Sequence, residues 1–262
     1  QPPEVWTWNK ENGGKFASIN APTAGAREEK ELPVGDHPLQ LYSLATPNGV
    51  KVTILLEELL AAGHHAEYDA HIINISDGDQ FGSGFVEINP NSKIPALVDR
   101  SGDTPIRVFE SGAILQYLAR KTGKFTGATE RDRVAVDQWL MWQMGGVGPM
   151  AGQAHHFLKY APAMDPPNDL PYAKDRYRAE TARLYSILDR RLAENEYVAG
   201  DFFSIADMSI WGWASLWEGQ QQMLDDKPHM KRWLETVSAR PAVQRGRALF
   251  AEKRADFRKD KT

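Results

Sequence analysis

The chain has 262 residues, 42% hydrophobic and 25% charged, an ordinary globular composition that excludes wholesale disorder. Its formal net charge is −4, with Lys and Arg scattered until the last few residues, so no basic stripe marks a nucleic-acid partner. It has no cysteine, which removes structural disulfides, thiolate zinc sites, Cys nucleophiles and CxxC redox motifs together; any thiol must arrive on a small molecule.

Residues 1–36 read as an irregular extension. Gly13-Gly14, Pro22, Gly25 and Pro33 interrupt every apolar pattern, and only Val5, Trp6, Trp8, Phe16 and Ile19 offer anchors. The expectation is a segment lying across another surface, that of a partner subunit included, or a partly ordered tail. From Leu39 the pattern changes. Leu39–Ser43 predicts a strand, and Thr46-Pro47-Asn48-Gly49 a turn with Thr46 as N-cap and Pro47 at the first helical position. Val52, Leu55, Leu56, Leu59 and Leu60 then recur at helical spacing, and Gly63 stands where a C′ glycine ends a helix. A second strand is expected over 67–73 and a glycine-rich loop over 76–84. Strands follow from Ala96 and over 106–109, joined by a Ser101-Gly102-Asp103 hairpin turn. Ser111, as N-cap, opens a helix that stops near Gly123. The predicted order is β-α-β-α-β-β-α.

After about residue 128 strand signals cease. Helical patterns cover 131–144, 174–194, 206–217 and 230–239, and the four prolines between Pro162 and Pro171 predict a loop. The fold expected is α/β plus all-α. Its units are an extension (1–36), a small α/β domain (37–125), a helical bundle (126–250) and a tail (251–262). No apolar run reaches the ~18 residues that span a bilayer: the best, from Val52 to Ala62, contains Glu57 and Glu58. No signal-peptide pattern is present, so a cytoplasmic protein with no membrane contact is expected.

Several motifs have both a plain and a chemical reading. Thr46-Pro47-Asn48 is first a turn, yet it sits where the first strand of an open sheet meets a helix N-terminus, the usual ligand position in such folds. Backbone N–H groups there favour an anion, and the Thr46 hydroxyl and Asn48 amide add donors. Glu110-Ser111 is a plain helix start, or else a cradle for a zwitterion: Ser111 for an α-carboxylate, Glu110 for the adjacent α-ammonium. Ser92-Lys93-Ile94-Pro95 is a loop entering a strand. With a cis Pro95 it also turns the Ile94 backbone outward to pair with a peptide-like ligand; the isomer stays open. His155-His156 point about 100° apart on a helix and do not chelate one ion, so no metal is expected. Ser204-Ile205-Ala206-Asp207 is a capping box, making Asp207 a folding device, and Trp211, Trp213 and Trp217 read as core and interface.

The ordered set Thr46-Pro47-Asn48, Asn89-Pro90…Lys93-Ile94-Pro95-Ala96-Leu97, Glu110-Ser111 and Ser204–Asp207 resembles the cytosolic glutathione transferases over nearly the whole chain. The Thr-Pro-Asn start, the run from Trp139 to Gly146 and the long extension resemble the bacterial Nu class in particular. The resemblance implies a thioredoxin-like domain with cis-Pro95, a helical domain and a homodimer. It further implies two glutathiones per subunit and the reduction of small-molecule disulfides such as 2-hydroxyethyl disulfide. Carried onto this chain, Thr46 and Asn48 contact the reactive sulfur, with Tyr42 and Ser43 as nearby rivals. Pro47, Gln80, Lys93, Ile94, Glu110 and Ser111 hold the first glutathione, while Asn20, Gln143 and Arg176 complete the pocket or reach the second. The alternatives are glutathione-dependent thioether cleavage of aromatic, lignin-derived conjugates, with Phe157, Tyr160, Met164, Tyr172 and Trp217 lining an apolar site, or a non-catalytic glutathione-binding regulator.

Overall fold

The computed structural model describes residues 5–10 and 19–252. Its first part is a four-stranded sheet of order β2-β1-β3-β4, built from β1 (Leu39–Ser43), β2 (Tyr68–Ile72), β3 (Ala96–Asp99) and β4 (Ile106–Phe109). β1 pairs in parallel with β2 (Leu41↔Ala70) and antiparallel with β3 (Leu41↔Leu97), and β3 pairs antiparallel with β4 (Leu97↔Val108). Side-chain alternation sorts the strand residues to two faces. Leu39, Leu41 and Leu97 join α1 (Gly49–Ala61) and α3 (Ser111–Thr122) in the main core. Tyr42, Ala96 and Val98 pack against Phe85 and Ile88 of α2 (Ser83–Ile88) in a smaller one. The α/β half is thus thioredoxin-like, as expected, and the Ile94–Pro95 bond is cis.

Helix α1 is buried almost all round, as a helix between two layers must be. One side faces the sheet; the other meets the helical half. There Thr53 Oγ1 donates to the Gly246 carbonyl (2.6 Å), Arg240 grips Glu58 (2.6 and 2.8 Å) and Arg245 reaches Glu57 (2.7 Å). The helical half runs through α4 (Glu130–Trp142), α5 (Gly148–His155), α6 (Pro171–Leu192), α7 (Ile205–Ala214), α8 (Pro228–Ser238) and α9 (Pro241–Ala248). Two π-helical stretches, 143–147 and 156–160, flank α5. The capping box of α7 is formed as expected, with Asp207 buried.

Helix ends and loops hold the differences from expectation. Regular helix begins at Gly49, three residues after Thr46. Thr46 still does the capping: its Oγ1 accepts from the Gly49 N–H (3.1 Å) and its carbonyl from Val50 N–H (3.0 Å). Gly63 closes α1 as anticipated, with φ +77° and paired bonds from Gly63 and His64 N–H to the Leu60 and Leu59 carbonyls. Ser111 is not an N-cap but the first helical residue; Glu110 precedes it at φ +68°, ψ 120°. The stretch read as a loop over 76–84 contains a 3₁₀ turn (Asp79–Phe81) and the start of α2. Helix α9 had no counterpart in the sequence reading, and α5 had none beyond the helical placement of His155.

Over 27–33 the extension lies along its own chain. Arg27 N–H donates to Phe81 carbonyl, Ser83 N–H to Glu28 carbonyl and Gly84 N–H to Lys30 carbonyl, and the Tyr42 hydroxyl donates to Pro33 carbonyl. Val5, Trp6 and Trp8 are exposed, Ile19 is half-buried, and Phe16 lies outside the described residues.

Candidate active site

A pocket of about 470 Å³ opens where the C-terminal end of β1 and the N-terminal end of the antiparallel β3 meet the helical half. That is within the ordinary range of roughly 300–1,000 Å³ for a small-molecule site. Its floor is the Thr46-Pro47-Asn48 turn. One wall carries Ile75, Gln80, Asn89 and Asn91–Pro95; another carries Glu110 and Ser111; the helical half closes it with Gln143, Met144, Gly148, Pro149, Gly152, Gln153 and Trp213. Nine of the eleven residues singled out from sequence therefore surround one space. Asn20 and Arg176 do not: both are exposed and outside the lining, although Ile19, beside Asn20, contributes to it.

The two rival hydroxyls on β1 are otherwise engaged. Tyr42 is buried with its hydroxyl on the Pro33 carbonyl (2.8 Å), and Ser43 is fully buried with its hydroxyl directed to the Leu44 carbonyl (3.4 Å). Neither lines the pocket. Thr46 is half-exposed. It accepts from Gly49 N–H, and its own hydrogen has no acceptor among the described residues. Asn48 lines the same corner, its Oδ1 accepting from the Trp213 indole N–H (2.9 Å).

On the opposite wall Glu110 holds a positive φ, a sparsely populated backbone state of the kind that clusters at binding sites. Between the walls lies Lys51, which sequence reading passed over as one more helix residue. It is almost wholly buried, donating to Ser111 Oγ (3.2 Å) and Gln143 Oε1 (2.9 Å) with Met144 Sδ nearby (3.8 Å). Burial pushes its ammonium down to about 7, opposed by the charge of Glu110. A lysine at the third position of an apolar helix carries no local signal; only the fold turns it inward.

Two buried polar atoms of the lining lack a partner among the described residues: Gln80 Oε1, an acceptor, and Gln143 Nε2, a donor. Burying such groups unpaired is costly, so a ligand offering both an N–H and an anionic oxygen fits this cradle. The apolar wall is Ile19, Ile75, Met144, Pro149 and Trp213, and not the aromatic set expected from sequence. Phe157 instead stacks on Tyr177 (5.5 Å), Tyr160 packs edge-on to His155 (5.2 Å), and Trp217 covers the core; Met164 and Tyr172 also lie outside the lining. Among the described residues no group of three or more His, Cys, Asp or Glu is placed to hold a metal. Nor is any helix of these residues long and apolar enough to cross a membrane.

Comparison with known proteins agrees with this geometry. The glutathione S-transferase N-terminal domain model matches residues 37–120, and the C-terminal domain model matches 152–241. The disulfide-bond oxidoreductase YghU of Escherichia coli is 52% identical over 258 residues, covering 95% of this chain and 88% of that protein. The crystal structure of glutathione transferase YghU from Streptococcus pneumoniae, complexed with glutathione, superimposes with TM-score 0.88 at 47% identity, covering 95% of this chain and 97% of that one. A glutathione transferase family member from Pseudomonas fluorescens with two glutathione bound gives TM-score 0.72 at 40% identity, over 80% of this chain and 92% of its own.

Proposed function

The chain belongs to the glutathione S-transferase family, and from that premise we propose that it reduces small-molecule disulfides with glutathione, using Thr46 and Asn48 to keep the glutathione sulfur ionised. One observation carries this reading. In a chain without cysteine, Thr46 is the hydroxyl beside α1 that both lines the pocket and has its hydrogen unspent among the described residues.

A free thiol of pKa ~8.5 is only a few per cent ionised at neutral pH. Donors from Thr46 and Asn48, with the positive end of α1, favour thiolate over thiol. Lowering the pKa by ~2 units needs about 2.7 kcal/mol of differential stabilisation, which two or three such donors supply. The thiolate attacks one sulfur of the disulfide RS–SR′, forming GS–SR and expelling R′S⁻, which takes a proton from water. A second glutathione thiolate attacks the glutathione sulfur of that mixed disulfide and expels RS⁻, so two glutathiones become one glutathione disulfide. The P. fluorescens relative with two glutathione bound supports a second glutathione site.

In this reading Gln80, Lys93, Ile94, Glu110 and Ser111 bind the first glutathione along an extended path over Pro47, with the glutamyl end at Glu110 and Ser111. Gln143 completes the pocket, and Asn20 and Arg176 belong to the second glutathione. A homodimer is part of this proposal; it is supported by Val134 and Met141, exposed apolar residues seven positions apart on one side of α4, which the Gln116–Asp137 bond ties to α3 (2.8 Å). The cytoplasm, where glutathione is kept reduced, suits the chemistry. The family's bacterial Nu class and domains of 37–125 and 126–250 are part of the same proposal.

The apolar wall of Met144, Pro149 and Trp213 favours a second substrate class, thioethers of glutathione with aromatic groups. Comparing turnover of 2-hydroxyethyl disulfide with that of a benzylic glutathione thioether separates the two. The central test is Thr46→Ala. Disulfide reduction is expected to fall about 10- to 100-fold in kcat at neutral pH, recovering toward alkaline pH as the thiol ionises unaided. Unchanged turnover would remove Thr46 from the chemistry.

A further inference from the structure

The Asn48 amide is useful to a thiolate only if its NH₂ end, not its oxygen, faces the sulfur. Nothing in the α/β half decides this. The decision comes from α7. The Trp213 indole N–H is a donor with no acceptor capacity, so the atom it meets at 2.9 Å must be Asn48 Oδ1. The planar amide then turns Nδ2 and its two hydrogens away from the indole, and no partner claims them among the described residues. Because the partner is donor-only, this orientation follows from chemistry rather than from how the amide atoms are assigned.

The indole is itself clamped. A Cβ on Gly152 of α5 would lie 3.1 Å from its Cη2, and one on Gly148 would lie 3.4 Å from its Nε1. At the neighbouring position, Gly212, a Cβ would overlap the Pro47 carbonyl oxygen, so the α7 backbone rests directly on the turn that carries Thr46 and Asn48. The helix is anchored at its start by Asp207, which accepts from Val198 N–H (2.9 Å), Ser204 N–H (3.0 Å) and the Trp233 indole (2.9 Å).

We propose that Trp213 is the positioning residue that aims the Asn48 amide at the glutathione sulfur, so that the helical half completes a donor pair begun by the α/β half. This rests on the assignment of Asn48 to the thiolate. The test is Trp213→Phe, which keeps an aromatic ring in the slot and deletes the N–H. The ultraviolet absorbance of bound thiolate against pH is read in wild type, Trp213→Phe, Asn48→Ala and the double variant, together with kcat and KM for 2-hydroxyethyl disulfide reduction. Trp213→Phe is expected to raise the thiol pKa by about one unit, a tenfold loss of thiolate at a given pH. It should lower kcat below that pKa while leaving KM for glutathione unchanged. The double variant should be no worse than Asn48→Ala alone.

An unchanged thiol pKa in Trp213→Phe, with a raised one in Asn48→Ala, overturns the role of Trp213 and leaves that of Asn48 standing. An unchanged pKa in Asn48→Ala removes both. A loss in Trp213→Phe that is equal at every pH marks a merely structural tryptophan and also overturns the proposal. Should Trp213→Phe not fold, the wild-type protein still decides. Its Trp213 indole N–H resonance should exchange slowly with solvent and lose that protection in Asn48→Ala; rapid exchange in wild type rejects the bond.

Discussion

At the start of α7, Ser204 accepts from the Ala206 N–H (3.2 Å) and gives its own hydrogen to Asp207 (3.0 Å), all of it fully buried. At the start of α1, Thr46 accepts from the Gly49 N–H and keeps its hydrogen free of any acceptor among the described residues, half-exposed at a pocket. Both are capping hydroxyls. The first has an acid three residues on and spends every hydrogen bond inside the fold; the second has glycine there and leaves one for a ligand. A capping hydroxyl thus becomes a candidate binding group when its N3 neighbour supplies no acceptor and a cavity does.

Removing Asp207 is the most severe way to break the internal cap. Asp207→Ala leaves two backbone N–H groups, the Ser204 hydroxyl and the Trp233 indole without their acceptor in a dry interior. It is expected to cost about 3–5 kcal/mol in urea unfolding, where Thr46→Ala should cost far less. Equal losses in the two variants would erase the distinction.

Lys51 sharpens the comparison at the pocket end of α1. Its folded pKa of about 7 lies below the ordinary lysine value of 10.5, so between those values the unfolded chain binds a proton that the native state does not. Wild-type stability should therefore rise with pH across that window relative to Lys51→Met, by up to ~1.4 kcal/mol per pH unit. Denaturant midpoints at several pH values for the two proteins check this, and parallel curves would mean that the buried amine stays charged.

The smallest effect is expected at the third helix start. Glu110 precedes α3 with φ +68° and no side-chain cap. Glu110→Gly should stabilise the protein by about 1 kcal/mol through relief of that backbone, while glutathione affinity falls for want of a carboxylate. Thermal melts and calorimetric titration read the two halves of this opposition.

Much of this was legible in the residues. The strand at Leu39–Ser43, the periodic leucines of α1, the closing Gly63 and the box at Ser204 each rest on neighbours in sequence, and each is where local chemistry puts it. Helices α5 and α9 were not legible. Both are eight residues long, and α5 is bounded by π-helical turns that disrupt the 3.6-residue period. Within the pocket, Thr46, Asn48, Glu110 and Ser111 were read from turns and helix starts, where polar side chains have few local uses, while Gln80 and Gln143 came only from the family resemblance. Lys51 and Trp213 escaped because each reads as an ordinary helix residue, and its role comes from a partner 92 or 165 positions away. The apolar wall was misassigned for a related reason: at helical spacing, an aromatic facing the core and one facing a cavity look alike.

The glycine at position 212 has a mechanical consequence. With backbone touching backbone there, the loop that carries Thr46 is wedged between its own strand and a helix from the other half of the molecule. Slippage of one half against the other acts directly on the turn that carries Thr46 and Asn48. Such a joint ties the shape of the pocket floor to the seating of two bodies, so mild loosening is expected to lower turnover before either body melts.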